Sequence, residues 1–265
     1  MDQSRLDALN GWFDSYVRTF YDIDEEGLIN IQLKVTHTLK VCEIMQLLTI
    51  GEGVAPEQAR TAAAIALLHD VGRFPQYRRW RTFRDSHSDN HARLSVEAVR
   101  EHGVLDALPA VERLQIEEAV RFHNLRDIPR RLEGEAGYLL RLIRDADKLD
   151  IWRVFLDNFH QPLETRASAV SLGLPDLPEV SPACVAALGS GCVVDLAAVH
   201  SLNDFRLLLI SWAHDLNFTT SYRLLGERNY LPELAATIQP GPGEHVVLNQ
   251  AVARAIAAVT ERSRS

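Results

Sequence analysis

The chain has 265 residues, 46% hydrophobic and 24% charged, with a formal net charge of −8. That composition allows one large or two smaller domains with a sizeable core, and it excludes a disordered chain or one drawn to nucleic acid by bulk positive charge. No run reaches the roughly 18 apolar residues of a membrane span, no secretory pattern opens the chain, and Cys42, Cys184 and Cys192 form no CxxC pair, so a cytoplasmic protein without disulfides or zinc ribbon is expected.

Apolar residues three and four apart recur along the chain, and period-two alternation is nearly absent. In chain order, helices are predicted over 4–20, 29–48 and 56–70, the last opened by Pro56 and followed by Gly72 as a stop. Further helices are predicted over 89–103, closed by Gly103, and over 110–123 and 136–159. Proline, glycine and serine then gather over 162–182 as a candidate linker or lid. Helical texture returns over 201–218, and 248–265 has the pattern of an amphipathic helix with a frayed tail. The expected organisation is an all-α core over 1–160, with a loop-rich segment and a helical extension packing on it over 161–265.

Several polar residues interrupt these apolar stripes. At helical spacing His37 lines up with Leu33, Val41 and Ile44, His69 with Ala62 and Ile65, His91 with Leu94 and Ala98, and His123 with Ile116, Ala119 and Val120. Asp147 falls in line with Leu140, Ile143, Ile151 and Val154, where an uncompensated carboxylate is costly. One inward histidine is ordinarily a hydrogen-bonded core residue. Four on separate helices, together with Asp147 and the His69–Asp70 pair, are more simply satisfied by one shared cation cluster.

In that order, His37, His69–Asp70 and Asp147 resemble the HD superfamily of metal-dependent phosphohydrolases over about residues 30–160, and RDADKLDIW resembles its final aspartate segment. His91 in SDNHARLS and His123 in VRFHN stand where two-metal members carry two more histidines. The resemblance implies a helical HD-domain bundle. It also implies a first metal on His37, His69, Asp70 and Asp147, with Asp70 bridging to a second on His91 and His123. Nitrogen and oxygen ligands without thiolate suit one or two ions of iron, manganese, zinc, cobalt or nickel. Asn90 replaces an aspartate found in some members, and His87 is a rival for His91 that precedes the predicted helix.

Arg73, Arg78, Arg79, Arg81 and Arg84 crowd the stretch after the HD pair. Arg73, Arg78, Arg81 and Arg84 are expected to bind an anionic substrate, Arg73 and Lys148 to act with Asp70 in catalysis, and Arg144 and Asp150 to support Asp147. His214–Asp215 is expected to be structural. The expected activity is hydrolysis of a phosphate ester or phosphoanhydride of a small phosphorylated anion such as a nucleotide, by metal-activated water. Neither membrane nor nucleic acid is an expected partner, and the oligomeric state stays open. A diiron oxygenase is the alternative on the same ligands, disfavoured by the short interval from His123 to Asp147 and by the ADKLD segment. A noncatalytic nucleotide-sensing module is the third reading.

Overall fold

The computed structural model describes residues 1–162, 166–239, 241 and 245–264; residues 163–165 of the expected linker and the last residue of the expected tail lie outside the described residues. Among the described residues there are twelve α-helices and no strand. They are α1 (Gln3–Arg18), α2 (Glu25–Gly51), α3 (Pro56–Leu68), α4 (Arg73–Trp80), α5 (His91–Glu101), α6 (Ala110–Phe122) and α7 (Gly134–His160), then α8 (Pro182–Gly189), α9 (Leu202–Ser211), α10 (Thr219–Glu227), α11 (Tyr230–Ala236) and α12 (His245–Arg262). No described helix is long and apolar enough to cross a membrane.

Contacts divide the chain into one unit of Met1–Asp150 with Leu163–Leu172 and a second of Ile151–Pro162 with Gly173–Ser265. The division falls inside α7 at Asp150, where the continuous helix carries no change of sequence texture to mark it.

In the first unit, side chains start the helices: Asp24 accepts from Gly27 N at 2.7 Å at the head of α2, and Asn90 from Arg93 N at 2.9 Å at the head of α5. Helix α3 packs against α1, α2 and α6 and is buried around most of its circumference, as a central helix must be. Each fully buried side chain such as Ile65 or Leu68 contributes about 1.5–3 kcal/mol. The C-terminus of α3 therefore delivers His69 and Asp70 into the middle of the unit.

Helix α4 lies where the sequence presents only a charged stretch; Phe74 and Tyr77, three apart, are its buried face. Gly72 follows the end of α3, but its φ of −69° and ψ of −17° are right-handed, so the stop does not depend on a left-handed glycine. Its missing side chain serves a close approach instead: a Cβ there would lie 2.3 Å from Ser95 N and 2.5 Å from His91 O, in the backbone of α5. Gly103, at φ +61°, does end α5 in the left-handed region. After α7 the chain returns to α2, where Ser168 Oγ donates to Glu26 Oε1 at 2.7 Å and Ala169 N to Asn30 Oδ1 at 3.3 Å.

In the second unit, Asp204 of α9 is buried and accepts from Ser181 N, Ser181 Oγ and His200 N, while Trp152 Nε1 donates to Leu209 O at 2.9 Å.

Candidate metal centre

The six sequence-predicted ligands come from five helices or helix ends of the first unit. His37 lies within α2, His69 and His123 cap the C-termini of α3 and α6, His91 is the first residue of α5, and Asp147 lies on α7. All four histidines are at most 6% exposed and Asp70 is 2% exposed, so whatever they face must come from within the cluster.

Each imidazole is oriented through Nδ1. A helix leaves its last carbonyls without intrahelical partners, and His69 and His123 use that: their Nδ1–H groups donate to Ala66 O and Val120 O, both at 2.7 Å. His37 and His91 have no such carbonyl and donate instead to carboxylates, Asp150 Oδ2 and Asp85 Oδ2, again at 2.7 Å. A carbonyl or carboxylate oxygen can only accept, so all four Nδ1 atoms carry the proton and all four Nε2 atoms turn inward as lone pairs while the rings are neutral.

Asp70 stands between them. Its Oδ2 faces His37 Nε2 at 3.6 Å and His69 Nε2 at 3.7 Å; its Oδ1 faces His91 Nε2 at 3.6 Å and His123 Nε2 at 3.9 Å. Asp147 Oδ1 closes the first half at 3.1 Å from His37 Nε2 and 3.7 Å from His69 Nε2. Three overlapping sets, His37–His69–Asp70, His69–His123–Asp147 and Asp70–His91–His123, each bring their ligand atoms within 4.8 Å of one another.

The cluster fits a cation on its own chemistry. His37 Nε2, His69 Nε2 and Asp70 Oδ1 are buried without a hydrogen-bond partner. His91 Nε2 and His123 Nε2 lie 3.1 Å apart, two inward nitrogens that repel as lone pairs unless a positive charge sits between or beside them. The electrostatics agree. Burial alone would raise the Asp70 carboxyl, yet Lys34, His69, Arg73 and His91 hold it well below the usual carboxylate range. Burial raises Asp147 likewise, and His37 and His69 bring it well down. Burial and Lys34 lower His37, but Asp147 and Asp150 outweigh them and leave its pKa raised. Burial, reinforced by His91 and His69, pushes His123 down to about 3.

Two contributors escape the sequence pattern. Lys34, three residues before His37, places Nζ 2.8 Å from Asp70 Oδ2. Asp85, in a short 3-10 turn, holds His91 through Oδ2 and accepts from Arg73 Nη1 and Gln76 Nε2 through Oδ1, both at 3.0 Å. Burial raises Asp85, but the His91 hydrogen bond and the neighbouring charges bring it down to about 2. Asn90 is occupied as the cap of α5, so the orienting carboxylate comes from Asp85 instead. His87 closes the same 3-10 turn and is exposed, outside the cluster.

The arginines divide. Arg73 reaches the cluster, with Nε 3.4 Å from Asp70 Oδ1 and Nη1 donating to Asp85 and to Phe83 O at 2.6 Å. The others are engaged elsewhere: Arg78 with Thr19 O and the Phe20 ring, Arg79 with Trp80, Arg81 with Asp24 and Tyr77, and Arg84 with Leu172 O. A helix turns successive residues by about 100°, so α4 fans apart side chains that look clustered in sequence. Lys148 is buried at 8% exposure beside Asp147; Arg144 donates to Arg126 O at 2.9 Å and to Leu125 O. In the second unit His214 Nε2 is buried without a hydrogen-bond partner. A surface groove of about 460 Å³ between α5 and α6 contains none of the six ligands.

The HD domain family model matches residues 35–152, a span that contains all six candidate ligands together with Asp85 and Asp150. Comparison with curated proteins and with solved structures finds no match. HD domains bind divalent metals and belong to a superfamily of metal-dependent phosphohydrolases. With the helical bundle and the four inward imidazoles around Asp70, the match supports an HD domain over residues 35–152 of the chain.

Proposed function

We propose that the protein is a metal-dependent phosphohydrolase that cleaves a phosphate ester or phosphoanhydride of a small phosphorylated anion such as a nucleotide. The observation that carries this reading is Asp70, one buried carboxylate with a histidine pair facing each oxygen. His37, His69, Asp70 and Asp147 would hold one ion, and Asp70, His91 and His123 a second. Bound there, divalent ions lower the pKa of water and neutralise charge on the phosphoryl group.

The chain's own residues prepare that chemistry. Asp150 and Asp85 fix the tautomers of His37 and His91 and turn Nε2 inward. Asp70 stays ionised and so remains an acceptor on both oxygens. Arg73 commits Nη1 to Asp85 and Phe83 O, which leaves Nη2 as the atom to meet a substrate oxygen. Lys148, directly after Asp147, is the candidate to steady a phosphoryl oxyanion. Among the other arginines of the cluster, Arg84 requires the least rearrangement to join them, since its contact to Leu172 O is long at 3.4 Å.

The test is phosphate release from a panel of nucleotides and simple phosphate esters, with each of iron, manganese, zinc, cobalt and nickel, in the presence and absence of dioxygen. The expected result is oxygen-independent release that falls to background in Asp70→Ala. Substrate consumption that needs dioxygen and releases no phosphate would establish the diiron oxygenase instead. Tight nucleotide binding without turnover would establish a sensor.

A further inference from the structure

Lys34 is one of three lysines, with Lys40 and Lys148, among the chain's 28 basic residues. The rest are arginines, so a lysine in this protein is the exception. Lys40 is exposed and pairs with its helical neighbour Glu43 at 2.8 Å, an ordinary surface contact. Lys34 has no such neighbour. Its side chain is 14% exposed, and its ammonium lies over the buried Phe83 ring, 5.4 Å from the centroid, and 2.8 Å from Asp70 Oδ2. That oxygen is the one that His37 and His69 face.

An ammonium and a divalent ion are thus offered the same carboxylate oxygen. Lysine suits the first role because its charge is compact and its stem flexible; an arginine fork would be harder to move aside. Arg73 touches the opposite oxygen, Oδ1, from a guanidinium already fixed by Phe83 O and Asp85, and so cannot stand in for it. Without a positive charge on Oδ2, Asp70 would be a buried carboxylate with too little compensation, the situation that most destabilises a fold.

We propose that Lys34 is the resident counter-cation of the His37–His69 half of the centre: it pairs with Asp70 Oδ2 in the metal-free chain and leaves that oxygen when a divalent ion enters. The arrangement discriminates by charge. A monovalent ion gains little by replacing an ammonium of equal charge, whereas a divalent ion gains both the carboxylate and the inward imidazoles of His37 and His69. Lys34 is therefore a positioning residue, acting through Asp70. This inference rests on the metal-centre reading but not on the reaction assigned to it, so loss of the hydrolase assignment would leave it standing.

The experiment uses the full chain, freed of metal by chelator, with Mn²⁺ as the probe. In the wild-type protein, amine acylation followed by mass spectrometry compares Lys34 with exposed Lys40: Lys34 is expected to be protected without metal and to become several-fold more reactive, relative to Lys40, once Mn²⁺ is bound. Free Mn²⁺ measured by electron paramagnetic resonance is expected to show Lys34→Met binding the ion at least about tenfold tighter, since a like charge has left the shared oxygen. The same variant without metal is expected to melt at a lower temperature than wild type, and Lys34→Arg to restore the melting temperature but not to tighten binding. Equal or weaker Mn²⁺ binding by Lys34→Met, unchanged protection of Lys34 on loading, or no Mn²⁺ binding by either protein overturns the proposal. Should Lys34→Met fail to fold, the acylation ratio in the wild-type protein decides alone.

Discussion

Gly72→Ala adds a single methyl group, and two physical effects assign it opposite signs. At φ −69° and ψ −17° the backbone is right-handed, where replacing glycine by alanine normally stabilises by about 0.4–1 kcal/mol through the unfolded chain. The new Cβ, however, would meet Ser95 N at 2.3 Å, His91 O at 2.5 Å and Leu94 C at 2.6 Å. These are backbone atoms of the first turns of α5, so no side chain can swing aside; the helix must retreat by about 1 Å to reach ordinary contact. Overpacking of this kind costs about 1–3 kcal/mol or more. The retreat also stretches the buried bond from Gly72 N to Ser95 Oγ, 2.9 Å long, for about another 1 kcal/mol. A net loss of about 1–4 kcal/mol lowers Tm by about 3–10 °C. Because His91 opens that helix, the variant should also lose the ion of the His91–His123 half while keeping the other. Calorimetry of the metal-free chain and a Mn²⁺ titration read both effects. A melting temperature at or above wild type, with full metal stoichiometry, would refute the close-approach argument.

Asp85→Asn should weaken Mn²⁺ binding in the His91–His123 half by about 10–100-fold, the usual effect of removing a histidine-orienting carboxylate, and leave the His37–His69 half unchanged. A titration whose two phases weaken together would contradict it. Acid should destabilise the metal-free chain. The His123 pKa is pushed from its ordinary 6.5 to about 3, so between those values the unfolded chain binds a proton that the folded one refuses, and stability falls by about 1.4 kcal/mol per pH unit as pH drops. His91, also lowered, adds in the same direction. His37, whose pKa is raised, contributes fully below 6.5 and so does not offset the loss within this window. Urea unfolding at about pH 6.5 and pH 5 measures it, and a flat profile would rule out burial of neutral imidazoles.

The residues that converge around Asp70 stand out in the sequence because each is a polar side chain on an otherwise apolar helical stripe, and periodicity locates the helices that carry them. Asp85 does not, since it lies in a three-residue 3-10 turn that has no stripe to violate. Lys34 was hidden for the opposite reason: a lysine on a helix is ordinarily a solvated residue, and only its rarity among the basic residues marks it. Helix α4 buries only Phe74, Gln76 and Tyr77 of its eight residues, too few to announce a period. The arginines after the HD pair are adjacent in sequence but not in space, because the helix turns successive side chains apart.

The return of the chain to α2 after α7 also orders events in time. Ser168 and Ala169 bond to Glu26 and Asn30 across 138–142 positions of sequence. During synthesis at about 5–20 residues per second, α1 to α6 emerge well before this strap exists. The entropic cost of closing so long a loop grows only logarithmically, so the contact is thermodynamically cheap but late. Until it forms, the side-chain amide of Asn30, one helical turn before Lys34, lacks its bonds to Ser168 and Ala169. A fragment cut at residue 160 would hold every candidate metal ligand and yet leave that end of α2 permanently in its nascent condition.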